Sequence, residues 1–211
     1  MTWLLYIFYG LVIGLAIGSG FARRRHRQNY GEAILAQTIS RHFNRPHLLL
    51  NNVTLPTAGG TTQIDHVLVA DTGIFVIEAK HYTGWIFGDP QARHWTQTIY
   101  RTKFRFRNPI HQNYGHVKTL QALFNLPEDQ FYSVVVFTGQ AEFKFDFGPN
   151  VIQLADLIPF LSADRPVVFD ERKMAYIIGR IEMKRERRSL ETDEYHLNHL
   201  RSQIAEKGIE P

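Results

Sequence analysis

Residues 64–80 read IDHVLVADTGIFVIEAK. Two apolar, β-branched runs, IDHVLVA (64–70) and GIFVIEAK (73–80), flank a short turn at Asp71-Thr72-Gly73, which predicts a β-hairpin. The runs are nearly continuous rather than alternating, so both faces of the strands are expected to be covered. Three ionisable residues interrupt them: Asp65 in the first strand, Glu78 and Lys80 in the second. Side chains two apart on a strand share a face, so Glu78 and Lys80 point the same way and Ala79 the other. With a two-residue turn, Ala70 pairs with Gly73, and Asp65 falls directly opposite Glu78. A three-residue turn with a bulge at Gly73 would shift that register by one. In the first register the two carboxylates lie about 5 Å apart at Cβ and repel unless a cation stands between them. Mg²⁺, a hard ion that takes oxygen ligands, suits that position, and Mn²⁺ can replace it. Ion-pairing alone is the competing account of the cluster, but charges set within Val, Ile and Phe runs cost several kcal/mol unless paired.

Moving outward, residues 31–43 have helical periodicity, with Glu32 heading a stripe that continues through Ile39 and Phe43. HLLLNNVTL (47–55) reads as a strand stopped by Pro56. Residues 81–107 are rich in aromatics and predict further strands. Asn108-Pro109 then opens a helix, Asn as cap and Pro in the first turn, with Gln112 a polar residue in that turn. FYSVVVF (131–137) is another buried strand, followed by a short helix near 155–162 and one or two charged helices over 170–207. The element order is α-β-β-β-α-β plus additions.

Taken together, Gly31-Glu32, Gln63-Ile64-Asp65-His66, Val76-Ile77-Glu78-Ala79-Lys80 and Asn108-Pro109-Ile110-His111-Gln112-Asn113 resemble the nuclease-related (NERD) domain over roughly residues 29–140. That family is grouped with the PD-(D/E)xK nucleases. Ile64 stands where the wider superfamily often has Pro. The resemblance implies a restriction-endonuclease-like α/β core, three layers around a mixed sheet, and a metal-dependent nuclease ancestry. It implies that Asp65 and Glu78, with the Ala79 carbonyl, hold Mg²⁺. It also implies that Lys80 orients a water or stabilises the transition state, that Glu32 completes the metal shell, and that Gln112 positions a phosphate or water.

TKFRFRNP (102–109) alternates strictly, with Lys103, Arg105 and Arg107 on one face and Phe104 and Phe106 on the other. Such a strand would bury its Phe face and offer a cationic ladder to backbone phosphates, of DNA or RNA, without reading sequence. A solvated strand face is the competing account. Trp85 and Trp95 are expected in the core rather than as base-stacking platforms. The charge map supports placing a nucleic-acid surface here: residues 90–127 contain six Lys and Arg and no acid, and Arg23, Arg24, Arg25 and Arg27 add four more cations. Since the whole chain of 211 residues is only +4, the remainder carries −6.

Residues 1–22 contain no charge, and WLLYIFYGLVIGLAIGSGF (3–21) is long enough, at about 1.5 Å per residue, to span a hydrocarbon core of roughly 30 Å. The arginines follow the apolar run rather than precede it, which disfavours a secretory signal. It also predicts a single-pass anchor in the cell (inner) membrane, N-terminus outside and everything after it in the cytoplasm. Gly10, Gly14 and Gly18 fall on one helical face and would allow a homodimer, although glycine is common in such helices anyway. The expected divisions are an anchor (1–22), a basic juxtamembrane segment (23–28), a nuclease-like domain (29–165) and charged C-terminal helices (166–211). With no cysteine, a disulfide framework and a Cys-ligated zinc are excluded. Two functions fit: a membrane-anchored Mg²⁺-dependent nuclease acting on DNA or RNA, and a catalytically silent tethered module that binds nucleic acid or protein.

Overall fold

The computed structural model describes residues 28–186, so the apolar run, the arginines after it and the chain beyond 186 lie outside the described residues. Residues 28–42 form helix α1. Strands β1 (His47–Thr57), β2 (Gly60–Ala70) and β3 (Gly73–Lys80) follow as an antiparallel meander. β1 runs through Pro56 rather than stopping at it, with Pro56 opposite Thr61. This is tolerable because β1 is an edge strand, where a missing N–H need not break a ladder. The β2–β3 turn has two residues, and Ala70 pairs with Gly73. Gly73 sits at φ 143, and a Cβ there would lie 2.7 Å from the Tyr132 ring and 2.8 Å from the Gln130 carbonyl. Only glycine fits both demands.

A second sheet follows β3. Strands β4 (Gly84–Phe87), β5 (His94–Ile99) and β6 (Thr102–Arg107) are antiparallel neighbours, and β6 leads straight into helix α2 (Pro109–Phe124). The chain then returns to the first sheet as β7 (Phe131–Phe137), parallel to β3. After that come β8 (Ala141–Phe143), β9 (Val151–Gln153), the short helix α3 (Leu157–Leu161) and α4 (Glu171–Lys184). The five-stranded sheet has order β1-β2-β3-β7-β9 and the four-stranded one β6-β5-β4-β8. Both mix parallel and antiparallel pairs.

Alternation along β2 and β3 sorts the core into two layers. Val67, Val69, Ile74 and Val76 face Val117 and Leu120 of α2 and Met174, Ile177 and Ile181 of α4. Leu68, Ala70, Phe75, Ile77 and Ala79 face Leu35, Ile39 and Phe43 of α1 and Leu157 and Leu161 of α3. Helices therefore cover both faces of a mixed sheet, a three-layer α/β arrangement consistent with the nuclease-like core expected from the sequence. A third cluster, Ile86, Trp95, Phe137 and Phe147, joins the inner face of the second sheet to β7. Trp95 is buried as expected. Trp85 is not in the core, with 48% of its surface exposed, because it alternates with Ile86 and so points away from that cluster. Phe106 packs on Tyr82 and Trp95, whereas Phe104 is 39% exposed near the sheet edge.

Candidate active site

The hairpin register brings Asp65 level with Glu78: the ladder runs from Ala70↔Gly73 to His66↔Ile77, and the next step is Asp65 against Glu78. Glu78 follows Val76 to the α2 face, where it meets His116, while alternation along β2 breaks around Asp65, since Ile64 shares the α2-face cluster with Val67 and Val69. On the β1 side the ladder breaks at the same level. Asn51 pairs with His66 and Val53 with Ile64, while Asn52, which would face Asp65, turns out at φ 52. One Asp65 oxygen accepts the Ala79 N–H at 2.9 Å, closing the gap left where the ladder ends.

Lys80 is hydrogen-bonded to Glu78 Oε1, and its Nζ lies 3.5 Å from Gln112 Oε1 in the first turn of α2. Asn108 fixes that turn: its Oδ1 accepts the Ile110 N–H and its Nδ2 donates to the Pro90 and Ala92 carbonyls. One turn beyond Gln112, His116 places Nε2 3.3 Å from Glu78 Oε2, in contact but not aligned as a hydrogen bond, and both atoms are buried. Its Nδ1 is 3.0 Å from the Thr62 hydroxyl. If Thr62 donates there, the Nε2–H faces Glu78. Glu32 arrives from α1, on the other side of the sheet, and is buried with side-chain hydrogen bonds to Asn52 and Gln28. Gln28 Nε2 also donates to the Ala79 carbonyl at 2.6 Å. Gly31 lets α1 come this close, because a Cβ there would stand 2.5 Å from Thr138 Oγ1 and 2.7 Å from His81 Cβ.

The electrostatics follow from three buried carboxylates sharing one lysine. Burial first, then the Glu78 charge, pushes Asp65 well above the usual carboxylate range. The same two causes raise Glu32. Burial would raise Glu78 too, but Lys80 and His116 outweigh it and the net shift is downward. Burial alone would lower Lys80, and Glu78 and Asp65 reverse that, so it stays charged. The site is short of positive charge. Among the described residues no group of three His, Asp or Glu encloses a metal ion. The donors that are present suit Mg²⁺ nonetheless: two opposed carboxylates, one with a buried, unbonded oxygen (Glu78 Oε2), and raised acids that a cation would relieve.

Asp65, Glu78, Lys80, Glu32 and Gln112 thus meet at one end of the central sheet. Lys103, Arg105 and Arg107 lie apart from it on the exposed edge strand β6, which ends one residue before the Asn108 cap. His116, Asn52, Thr62 and Gln28 escaped sequence reasoning. For His116 a signal existed, since positions 112 and 116 share a helix face. For Asn52 there was none, because its left-handed backbone is visible only in the fold.

Residues 27–138, just over half the chain, match the family profile described as the nuclease-related domain. An uncharacterised protein of Bacillus anthracis is 40% identical over 122 residues, covering 56% of this chain and 58% of the relative. The chain therefore spans only a little over half the length of the curated relative it matches.

Proposed function

Because the chain belongs to the nuclease-related domain family, we propose that it is a membrane-anchored, Mg²⁺-dependent nuclease hydrolysing phosphodiester bonds of DNA or RNA. The observation that carries this reading is the juxtaposition of Asp65, Glu78 and Lys80, with Gln112 and Glu32 beside them, on buried strands where unpaired charge is costly. Asp65 and Glu78 would hold Mg²⁺, or Mn²⁺ in its place, with Glu32 as a third acid. Bound there, the ion supplies an acidified water and neutralises charge growing on the phosphate.

The chain's own groups do the rest. Lys80, held charged by Glu78 and Asp65, serves as a donor to a phosphate oxygen or the attacking water rather than as a base. Gln112 accepts from Lys80 and keeps its amide N–H groups for a second phosphate oxygen. His116 backs Glu78 from α2, its Nε2 3.3 Å from the carboxylate's Oε2. Lys103, Arg105 and Arg107 neutralise backbone phosphates. The apolar run 3–21 and the arginines after it support a single-pass anchor that leaves this site in the cytoplasm.

Two contacts favour a catalytically silent binding module instead: Lys80 already occupies a Glu78 oxygen, and Gln28 occupies the Ala79 carbonyl. Cleavage assays on the full-length protein in detergent separate the two. With Mg²⁺ the protein should cut DNA or RNA, and EDTA should stop it. Asp65→Asn and Glu78→Gln each remove a ligand charge and should abolish cutting while nucleic-acid binding persists. Lys80→Ala should slow cutting by about 10²-fold. If the wild type binds but never cuts with Mg²⁺ or Mn²⁺, and all three variants bind equally well, the silent module is the correct reading.

A further inference from the structure

The second sheet has an outer face that the active site does not use. Its register aligns two cross-strand rows: Trp85 of β4 faces Thr98 of β5, which faces Lys103 of β6, and Phe87 faces Thr96, which faces Arg105. Directly paired residues share a sheet face, so two aromatics and two cations stand on one surface with a threonine between each pair. A third pair, His94 and Arg107, extends the cationic row. Trp85 is 48% exposed and Phe87 40%. The opposite face of the same strands is the covered one, carrying Ile86 and Trp95.

The charges on this surface are nearly all of one sign. Among the described residues no carboxylate pairs with Lys103, Arg105 or Arg107. The single acid at a position on these four strands is Glu142 of β8, which is ion-paired with Lys144. Glu142 also accepts the Trp85 Nε1–H at 2.9 Å, and Lys144 Nζ stands 4.8 Å from the Trp85 ring centroid. The ring is thus held in place while nearly half its surface stays open. Burial, and after it the neighbouring Arg105, Arg93 and Arg107, depress the His94 imidazole.

We propose that this face binds single-stranded nucleic acid, with unpaired bases stacked on Trp85 and Phe87 and backbone phosphates on Lys103, Arg105 and Arg107. Adjacent strands are about 4.8 Å apart, so the aromatic and cationic rows run parallel at about 10 Å, one for bases and one for phosphates. A duplex keeps its bases stacked inside and would use the cations alone, whereas an unpaired strand uses both rows. Sequence preference would be slight, since every base has a ring face to stack. This inference rests on the nucleic-acid reading above and narrows its substrate to single strands. Because β6 runs directly into the α2 turn that carries Gln112, a strand lying on the ladder would lead toward the site.

The test is binding of a labelled 15-nucleotide oligo-dT, and of a duplex of the same length, to the full-length protein in EDTA, read by fluorescence anisotropy. The single strand should bind more tightly. Trp85→Ala should weaken it roughly tenfold and the duplex less than twofold, with Trp85→Phe close to wild type. Arg105→Ala should weaken both and lower the salt slope of log K by about 0.7 on the single strand. Unchanged oligo-dT binding by Trp85→Ala and Phe87→Ala, or equal loss on strand and duplex, would overturn the proposal. Working in EDTA keeps this result separate from catalysis. A protein that needs Trp85 to bind but never cuts loses only the hydrolase reading. One that cuts yet ignores Trp85 loses only this surface. One that binds neither oligonucleotide loses both.

Discussion

His66, next to Asp65 on β2, points to the opposite side of the sheet and is 1% exposed, its Nδ1 2.7 Å from Asn51 Oδ1. Burial holds its imidazole down at about 4 from an ordinary 6.5, against a smaller opposing pull from Glu78. A depressed histidine binds a proton in the unfolded chain before it does so in the folded one. Stability contributed by neutral His66 is therefore lost as pH falls from about 6.5 to about 4. Asp65 and Glu32 have the reverse sign: raised in the fold, they hold protons that the unfolded chain has released, and so offset acid destabilisation in the carboxylate range. A substitution separates the two effects. In urea unfolding between pH 7 and pH 4, His66→Gln should remove about 3 kcal/mol of the pH-dependent loss. A variant with the wild-type pH profile would show that His66 does not titrate this way.

At the level of elements, the first turn of α2 links the two sheets to the site. Asn108 is fully buried, caps the helix and ties the loop before β5 through two carbonyls. Asn108→Ala should cost roughly 2–3 kcal/mol, the lost cap plus two acceptors left without a donor. The shift in urea midpoint measures it, and a loss below about 0.5 kcal/mol would mean the cap is not what holds the turn. Asn113, one residue after Gln112, secures the same helix from beneath, its Nδ2 donating to the Val76 and Val134 carbonyls and to Ser133 Oγ. Gln112 is thus carried on a turn fixed at both ends. On the opposite layer, Gly31 allows α1 to close on His81 and Thr138 and to pass Glu32 around the end of the sheet.

For the molecule as a whole, charge placement separates two functions. The acid-free stretch 90–127 supplies strands β5 and β6 of the second sheet and all of α2, while the uncharged run 1–22 is followed by arginines. Among the described residues no helix is long and apolar enough to cross a membrane; the proposed anchor is the N-terminal run. The full-length chain should remain in the membrane pellet after an alkaline carbonate wash and be released only by detergent. Recovery in the carbonate supernatant would remove the anchor.

The hairpin, its two-residue turn and the face shared by Glu78 and Lys80 were legible in residues 64–80. Period-two alternation and turn chemistry are local properties, and local backbone geometry carries them into the fold unchanged. The Asn108-Pro109 helix start was legible for the same reason, since capping involves only neighbours. Contacts between distant segments were not. Whether Trp85 faced the core or solvent depended on which side of its sheet met β7, and a four-residue strand does not encode that choice. Glu32 reaching the site from the opposite layer, His116 settling on Glu78, and the alignment of aromatic with cation across β5 all depend on how far sheets twist and helices close. Those quantities are set by long-range packing of side chains far apart in the chain.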